Sequence, residues 1–549
     1  MSGPDTSERV APARDASGTP WWRDAVIYQI YVRSFADGND DGIGDLPGIR
    51  SRLASVADLG VDAIWLTPFY PSPQADGGYD VADYRDVDPR FGTLDDFDDL
   101  RRDAHELGLR VIVDLVPNHT SSEHPWFRAA LAAAPGSRER ARYVFRDGRG
   151  PDGDQPPNDW ASVFGGGAWE RVVEADGRPG QWYLHLFAVE QPDLDWTNPE
   201  VVEEFESVLR FWFERGVDGF RIDVAHGLVK DEALGDIDGR FVASGPAEQG
   251  HPHWDQDPVH DIYRRWRSVS DEYDRDRTFV AEAWVHDPAR LARYVRADEL
   301  HTAFDFNFLL APWDARSLRA TIDQSIETLA AVGAPATWVL SNHDVVRHVT
   351  RYGGGAQGTR RARAAALLML ALPGGAYVYQ GEELGLEEVV DLPDELRQDP
   401  TFARSGGEDR GRDGCRVPLP WSGTAPPFGF SATATPWLPQ PASWSAATVE
   451  RQAGDPTSMR SLYRDALRLR RARIGLGDGT LDWLDAPAGV LAFRRDPDVV
   501  CVVNARAEPV ALDHVVGAGG EVLLASDPSL AGRSLPPDTA VWLAATPSR

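Results

Sequence analysis

Short apolar runs alternate with helical patterns along most of the chain, and this alternation limits the folds open to it. β-branched and aromatic residues dominate the runs at 25–35, 61–67 and 109–116, while 94–107 and 201–215 have the spacing of amphipathic helices. Strands that alternate with helices form a parallel sheet with right-handed crossovers. About eight such units over roughly 440 residues predict an α/β fold, the (β/α)₈ TIM barrel. An open doubly wound sheet is the alternative, but no GxGxxG motif follows the first strand.

Two stretches interrupt the alternation and divide the chain. Residues 119–190 are rich in Trp, Gly, Pro and Asp and are too long for a loop, which predicts a small B domain inserted after the third strand. Near the end of the chain, short alternating strands predict an all-β sandwich domain. The predicted organisation is a disordered tail at 1–20, a barrel at 21–118 and 191–476, the inserted domain at 119–190 and the β-sandwich at 477–549. The tail is polar and lacks the apolar core of a signal peptide.

Charge and cysteine content exclude several classes of partner. The formal net charge is −30, which argues against nucleic acid and anionic membranes and is compatible with a neutral substrate. No apolar run reaches about 18 residues, so no membrane span is expected. Cys415 and Cys501 have neither metal-type spacing nor a disulfide framework. The expectation is a cytoplasmic protein.

An acidic, glycine-rich loop at 37–45 (DGNDDGIGD) has the spacing of a cation-binding loop. Oxygen donors recur at every second position, with glycine at the sixth, as in an EF-hand. These donors are the side chains of Asp37, Asn39, Asp41 and Asp45 and the carbonyl of Ile43. The bidentate Glu of an EF-hand is replaced by Gly48. The loop predicts one structural Ca²⁺ or Mg²⁺, with a metal-free acidic turn as the alternative.

Polar residues follow several of the apolar runs at the same relative position. The residues are Asp114, Arg221 with Asp223, Glu282, and Asn342 with His343 and Asp344. The carboxyl ends of barrel strands converge on one face, so these side chains are expected to be neighbours. Arg221 and Asp223 stand two apart and share one strand face. An ordinary buried ion pair is the structural alternative for them, and Asp114 could serve only as a partner of Arg221.

Three carboxylates without a credible thiol or serine nucleophile suggest glycoside chemistry. A retaining glycosidase needs one ionised carboxylate and one protonated carboxylic acid. Arg221 would keep Asp223 ionised, whereas the apolar flanks of Glu282 (Ala281, Ala283 and Trp284) would raise its pKa. A hydrolytic metal centre is the competing interpretation, although no HxH or HExxH spacing is present.

Four motifs resemble the conserved regions of the α-amylase superfamily, glycoside hydrolase family 13. They are DLVPNH (114–119), GFRIDVAHG (219–227), FVAEAW (279–284) and VLSNHD (339–344). QPDLD (191–195) is similar to a further region of the oligo-1,6-glucosidase and α-glucosidase branch, which usually ends in Asn where this chain has Asp195. The resemblance implies a barrel with B and C domains. It also implies that Asp223 is the nucleophile, Glu282 the general acid/base, and Asp344 a third catalytic carboxylate that binds sugar hydroxyls.

The same resemblance implies a pocket for one glucosyl unit and a cation at loop 37–45. The implied substrate-binding residues are Asp76, Tyr79, His119, Phe164, Phe187, Arg221, Val224, His343 and Arg416, the last from GRDGCRVPLPW (411–421). The implied enzyme is a retaining exo-α-glucosidase acting on α-1,4 and/or α-1,6 bonds, with Val224 favouring α-1,6. A transglucosylase, a sucrose-acting enzyme and a non-catalytic binding relative are the alternatives.

Overall fold

The computed structural model describes residues 19–174, 176–239, 250–273, 277–473, 479–495, 499–516 and 520–544. Residues 1–18 of the predicted tail lie outside these ranges. In chain order the strands are β1 (Val26–Ile30), β2 (Ala63–Leu66), β3 (Arg110–Leu115), β4 (Phe145–Arg146), β5 (Trp169–Val173), β6 (Pro179–Leu184), β7 (Gly219–Ile222), β8 (Thr278–Ala281), β9 (Thr302–Ala303), β10 (Thr337–Val339), β11 (Gly375–Tyr379), β12 (Leu481–Trp483), β13 (Val490–Arg495), β14 (Val499–Asn504), β15 (Val510–Ala511), β16 (Val522–Ala525), β17 (Ser534–Leu535) and β18 (Thr539–Ala544).

Helices separate most of the strands in the first three-quarters of the chain. In chain order the α-helices are α1 (Leu46–Leu59), α2 (Leu94–Glu106), α3 (Pro125–Ala132), α4 (Pro199–Glu214), α5 (Val259–Ser270), α6 (Pro288–Arg293), α7 (Phe306–Leu310), α8 (Ala315–Ala330), α9 (His348–Arg351), α10 (Gly355–Ala371), α11 (Pro400–Arg404), α12 (Val449–Ala453), α13 (Met459–Arg473) and α14 (Asp513–Val516). Short 3₁₀ turns occur at Trp21–Arg23, Val32–Ser34, Arg140–Arg142, Asp394–Leu396, Asp413–Cys415 and Ala442–Ala446.

Eight parallel strands form a nearly closed barrel in the order β10-β11-β1-β2-β3-β7-β8-β9. Its open seam is bridged where the N–H of Asp305, just after β9, donates to the carbonyl of Thr337 in β10 at 3.0 Å. The predicted barrel is therefore confirmed over the open sheet. The strand register pairs Asp114 of β3 with Arg221 of β7 and Ile222 with Ala281 of β8. Asp223 and Glu282 consequently leave adjacent strands at the same level.

Local sequence explains where these elements begin and end. The strand β1 is buried at all five positions, as expected for a parallel strand covered on both faces. It is shorter than the predicted 25–35, because the chain turns into a 3₁₀ helix after Ile30. Helix α1 begins at Leu46, because the Asp45 carboxylate caps it by accepting the N–H of Gly48. The two-residue strand β9 has too little apolar sequence to be predicted.

The predicted all-β unit near the end of the chain is confirmed, and the predicted insert also contains a sheet, while the exact domain boundaries remain predictions. The antiparallel sheet β4-β6-β5 lies between β3 and β7 in the predicted insert. The C-terminal unit contains the five-stranded sheet β12-β13-β14-β18-β16 and the pair β15-β17. It is joined to α10 by the indole N–H of Trp542, which donates to the carbonyl of Leu367 at 3.0 Å. Within the described part of the chain, no helix combines the length and apolarity needed to cross a bilayer.

Candidate active site

A cavity of about 530 Å³ opens at the carboxyl ends of the barrel strands. Asp223, Glu282 and Asp344 all line it, one after each of β7, β8 and β10. Seven of the nine residues predicted to bind substrate also line it, namely Asp76, Tyr79, His119, Phe164, Phe187, Val224 and His343. The other two, Arg221 and Arg416, are not among the lining residues and instead hold residues that are. The structure thus brings the whole predicted set to one place.

Arg221 is the centre of a buried charge cluster beneath the cavity. Its Nη1 donates to Asp114 Oδ1 at 2.8 Å and to Asp223 Oδ1 at 2.5 Å, while Nη2 lies 3.4 Å from Glu282 Oε2. Asp114 is fully buried and also accepts the hydroxyl of Tyr79 at 3.0 Å. It does not line the cavity, so it serves as an ion-pair partner of Arg221, which was one of the two interpretations open from the sequence.

Two donors fix the carboxyl group of Glu282. The indole N–H of Trp284 donates to Oε1 at 2.6 Å, and the backbone N–H of Val224 donates to Oε2 at 2.6 Å. Val224 has φ +46°, a left-handed conformation that costs a β-branched residue on the order of 1–3 kcal/mol. The bend directly after Asp223 turns the Val224 N–H towards Glu282. Val224 therefore links the two catalytic candidates through its backbone.

Asp223 and Glu282 titrate as a pair. Burial raises the pKa of both carboxyls, and Arg221 opposes the shift in each; repulsion from Glu282 and Asp344 adds to it at Asp223, and repulsion from Asp344 adds to it at Glu282. The sequence suggested that Arg221 keeps Asp223 ionised, but Arg221 alone does not outweigh burial. The 2.5 Å contact with Arg221 favours the charge on Asp223, whereas Arg221 is 3.4 Å from Glu282. The proton of the singly protonated pair is therefore assigned to Glu282.

Asp344 stays charged in the same cavity. Burial alone disfavours its ionised form, but the guanidinium groups of Arg412 and Arg416 outweigh burial and hold its pKa well below the usual range. Oδ1 of Asp344 lies 3.1 Å from Arg412 Nη1 and 3.0 Å from Arg416 Nη2. Arg416 also donates from Nε to the carbonyl of His343 at 2.8 Å. A permanently ionised carboxylate suits the binding of sugar hydroxyls.

The two histidines of the cavity are neutral hydrogen-bonding groups. Burial lowers the pKa of His119 to about 4 and lowers that of His343 well below its usual value. The His343 ring lies between Gln29, 2.7 Å from Nδ1, and the Tyr79 hydroxyl, 2.6 Å from Nε2. Its plane is nearly parallel to that of Tyr79, with ring centroids 5.3 Å apart. His119 packs against Phe187 at 5.1 Å between centroids.

The cavity wall contains an ion pair between Asp76 and Arg412 that the sequence did not predict. Nη2 of Arg412 lies 2.7 Å from Asp76 Oδ1, and Nε lies 2.6 Å from Asp399 Oδ2. The Arg412 guanidinium also sits 4.9 Å from the ring centre of Phe164. GRDGCRVPLPW contains two arginines, and the resemblance implied the second, Arg416. Both contact Asp344, but only Arg412 reaches the cavity.

Another part of the cavity wall is largely apolar and was not predicted either. Its wall contains Trp254 and Trp284, and Leu310 is 50% exposed at the rim. His226 adds a polar group, and its ring stacks on Trp254 at 4.8 Å. Trp284 and His226 stand within the motifs that carried the catalytic residues, so their proximity could be expected. Trp254 and Leu310 carried no such signal.

The acidic loop at 37–45 is outside the cavity. The side-chain oxygens of Asp37, Asn39 and Asp41 each accept the backbone N–H of the residue two positions later, and Asp45 caps α1. Among the described residues, no group of three or more His, Cys, Asp or Glu side chains is arranged to hold a metal ion. The side-chain oxygens keep lone pairs beyond these hydrogen bonds, so the donor set still suits a hard cation. Cation binding stays a prediction.

A parallel barrel with three carboxylates around one cavity at its strand ends is the arrangement of a glycoside hydrolase. Comparison with known proteins identifies the family. The alpha amylase catalytic-domain profile matches residues 29–479, and the chain belongs to this family.

Its relatives include named glucosidases. The chain is 42% identical to a probable alpha-glucosidase of Rhizobium meliloti (strain 1021), over 91% of either chain. It is 34% identical to an oligo-1,6-glucosidase of Parageobacillus thermoglucosidasius, over 92% of this chain and 94% of that protein. Among solved structures, an alpha-glucosyl transfer enzyme has 38% identity and a TM-score of 0.86, covering 96% of this chain and 100% of the other.

Proposed function

We propose that this enzyme is a retaining exo-α-glucosidase that releases α-glucose from the non-reducing end of short oligosaccharides or glucosides. The observation that carries the proposal is a cavity lined by paired carboxyls, Asp223 and Glu282, and by the ion pair of Asp76 with Arg412, which we propose closes one end. A closed end leaves room for one terminal sugar, whereas an endo-acting enzyme needs an open cleft. Relatives named alpha-glucosidase and oligo-1,6-glucosidase support this substrate class.

In the first half-reaction, Asp223 attacks the anomeric carbon and the glycosidic C–O bond breaks. Glu282 gives its proton to the departing oxygen, so the leaving group departs as a neutral alcohol. Both carboxyls contact the guanidinium of Arg221, which places them close together, as a double displacement requires. In the second half-reaction, Glu282 takes a proton from a water molecule that attacks the glucosyl–Asp223 ester. Two inversions restore the α configuration.

Asp344, His119 and His343 are proposed to hold the hydroxyls of the reacting sugar, with Tyr79 stacking on its ring. Phe164 and Phe187 would form the side walls, and Arg416 would act by holding Asp344 and His343 in place.

Transfer to a sugar is the second candidate activity. It uses the same glucosyl–Asp223 ester, with an acceptor hydroxyl in place of water. The aromatic wall formed by Trp254 and Trp284 could hold such an acceptor. Solved structures similar to this chain include an alpha-glucosyl transfer enzyme and a trehalulose synthase.

Product analysis with the wild-type enzyme tests the proposal. Maltose, isomaltose and sucrose are compared by kcat/KM, and the first-formed glucose is followed by NMR. We expect α-glucose as the initial product and a preference for isomaltose of about tenfold, the size that one methyl-sized contact at Val224 can supply. Equal rates on maltose and isomaltose would remove Val224 as a linkage selector. No turnover of any α-glucoside would refute the enzymatic proposal itself.

We also propose that loop 37–45 binds one structural Ca²⁺ or Mg²⁺. The loop requires glycine at position 42, because φ there is +91° and a Cβ would lie 2.3 Å from the carbonyl oxygen of Thr435. A cation would offset the repulsion between the loop's carboxylates and hold the loop against the segment that contains Thr435.

Chelation is therefore expected to lower the Tm by roughly 1–2 °C, the effect of losing about 1–2 kcal/mol in a chain of 549 residues. Asp41→Ala should lower the Tm equally and abolish the response to chelator. Asp40→Ala is the matched control, because Asp40 belongs to the loop but turns to Thr433 and Ala434. The Asp40→Ala variant should have a lower Tm than the wild type, and chelator should still lower its Tm further. A wild-type Tm that chelator does not change would contradict the proposed cation.

A further inference from the structure

The side chain of Arg404, at the end of α11, joins two parts of the chain that are far apart in sequence. Its Nε donates to the carbonyl of Gly165 at 2.7 Å, and its Nη2 donates to the carbonyl of Gly167 at 3.2 Å. Gly165 and Gly167 belong to a turn in the predicted insert, residues 161–167, called here the insert turn. Arg404 belongs to residues 399–412, called here the arm. One guanidinium thus fastens the arm to the insert turn.

Both of these segments form walls of the active-site cavity. The insert turn contributes Val163 and Phe164, and the arm contributes Thr401 and Arg412, among others. The two walls meet at the closed end, where Arg412 lies over the ring of Phe164. The Arg404 contacts therefore lie across the same junction that limits how far a substrate can extend.

The base of the arm is fixed by Asp399. Its Oδ1 caps α11 by accepting the N–H of Thr401 at 2.9 Å, and its Oδ2 accepts both the backbone N–H and the Nε of Arg412 at 2.6 Å. These bonds hold the two ends of the arm to each other. They do not hold the arm to the insert turn, which leaves that task to Arg404 and to the ring contact of Arg412.

The insert turn presents two backbone carbonyl groups to Arg404. Gly165 and Gly166 have φ values of +96° and +75°, which side chains other than glycine rarely adopt. The carbonyl of Gly166 is used within the turn by the N–H of Ser162, whereas those of Gly165 and Gly167 accept from Arg404. A rigid turn that presents two carbonyls suits the fork of a guanidinium.

We propose that Arg404 is a positioning residue that sets substrate length. By fastening the arm to the insert turn, it keeps Arg412 over the closed end and excludes a second sugar beyond the terminal glucosyl unit. The inference rests on the proposed exo-glucosidase function. Loss of Arg404 removes the hydrogen bonds between the arm and the insert turn without removing any group that contacts the reacting sugar.

The test uses p-nitrophenyl α-maltoside, whose early products report where the substrate sits. An enzyme with a closed end must first remove the terminal glucose, so glucose appears first and nitrophenol appears after a lag. An open end allows direct release of maltose together with nitrophenol. We expect glucose alone as the first sugar from the wild type, and early maltose without a lag from Arg404→Ala. The KM for p-nitrophenyl α-glucoside should rise roughly three- to tenfold with little change in kcat, because two hydrogen bonds no longer hold the arm.

Two further variants separate positioning from general damage. Arg404→Lys keeps the charge and stem but cannot form the forked contact, so it should show an intermediate share of early maltose. Arg410→Ala is the matched control, because Arg410 lies in the arm and pairs with Asp394 instead of the insert turn. It should behave as the wild type.

Glucose as the sole first product from Arg404→Ala, with an unchanged KM, would overturn the inference. If Arg404→Ala loses its thermal transition, Arg404→Lys decides the question by the same readout. Wild-type turnover of p-nitrophenyl α-glucoside tests the proposed function separately, so failure of one does not imply failure of the other.

Discussion

Replacing Asp223 by Asn is expected to lower kcat on p-nitrophenyl α-glucoside by roughly 10⁴- to 10⁶-fold, the scale on which removing a covalent nucleophile acts. The amide cannot form the glycosyl ester, and it leaves Arg221 facing one charge fewer. Asp114 still pairs with Arg221 at 2.8 Å, so the core should survive the change. Steady-state kinetics with a thermal-unfolding control measures the effect. A variant that keeps a tenth of the wild-type kcat would show that Asp223 is not the nucleophile.

Azide separates this role from a purely structural one. In Asp223→Gly the removed side chain leaves space for azide to attack the anomeric carbon directly, while Glu282 still protonates the leaving group. One inversion then gives β-glucosyl azide. Recovery of turnover with the β product assigns the missing group as the nucleophile, whereas a variant damaged only in structure would give neither turnover nor azide product.

Replacing Glu282 by Gln is expected to lower kcat/KM on maltose by roughly 10²- to 10⁴-fold, the usual contribution of a general acid/base. The loss should be smaller for nitrophenyl glucoside, because nitrophenolate leaves without a proton. Azide should restore turnover by attacking the ester on Asp223 without help from a base. The product is then α-glucosyl azide, opposite in configuration to the product of the Asp223 variant. Two azide products of the same configuration would contradict the assigned roles.

The carboxyl group of Glu282 is expected to set the pH dependence of kcat/KM. Burial raises the pKa of Glu282 to about 7, and the shared proton must be present for the acid to act. Wild-type kcat/KM should therefore fall as pH rises through about 7 to 8, where the pair loses its last proton. Glu282→Gln has no proton to lose, so this decline should disappear. A decline at the same pH in the variant would assign it to another group.

The barrel and the carboxylates at its strand ends could be predicted because both depend on local patterns, whereas most substrate-binding residues were implied by the resemblance to the α-amylase superfamily. Apolar runs mark the strands, and polar residues at their ends mark the face on which the site lies. Because the strands close into a barrel, residues that are far apart in sequence, such as Asp223 and Asp344, lie close together at its carboxyl face. The strand β9 has only two residues, which are too few to form a recognisable apolar run.

Features that depend on register or on long loops were not predictable in the same way. The pairing of β3 with β7 sets Asp114 beside Arg221, which the sequence could offer only as one of two interpretations. Arg412 and Arg416 stand four residues apart in a loop without periodicity, so the sequence does not say which one reaches the cavity. The balance of burial against Arg221 at Asp223 is likewise a property of packing, because burial raises the pKa of Asp223 and the Arg221–Asp223 spacing alone gives no measure of burial.

The most direct test of the central claim is to trap the covalent intermediate. A fluorinated α-glucosyl fluoride combines a reactive leaving group with a ring that slows hydrolysis of the ester, so the intermediate should accumulate. Mass spectrometry of the whole chain and of its peptides then locates the label. We predict one fluoroglucosyl group per chain, attached to Asp223 and absent from Asp223→Asn. A label on Glu282, or no label on a chain that releases β-glucose first, would contradict this account.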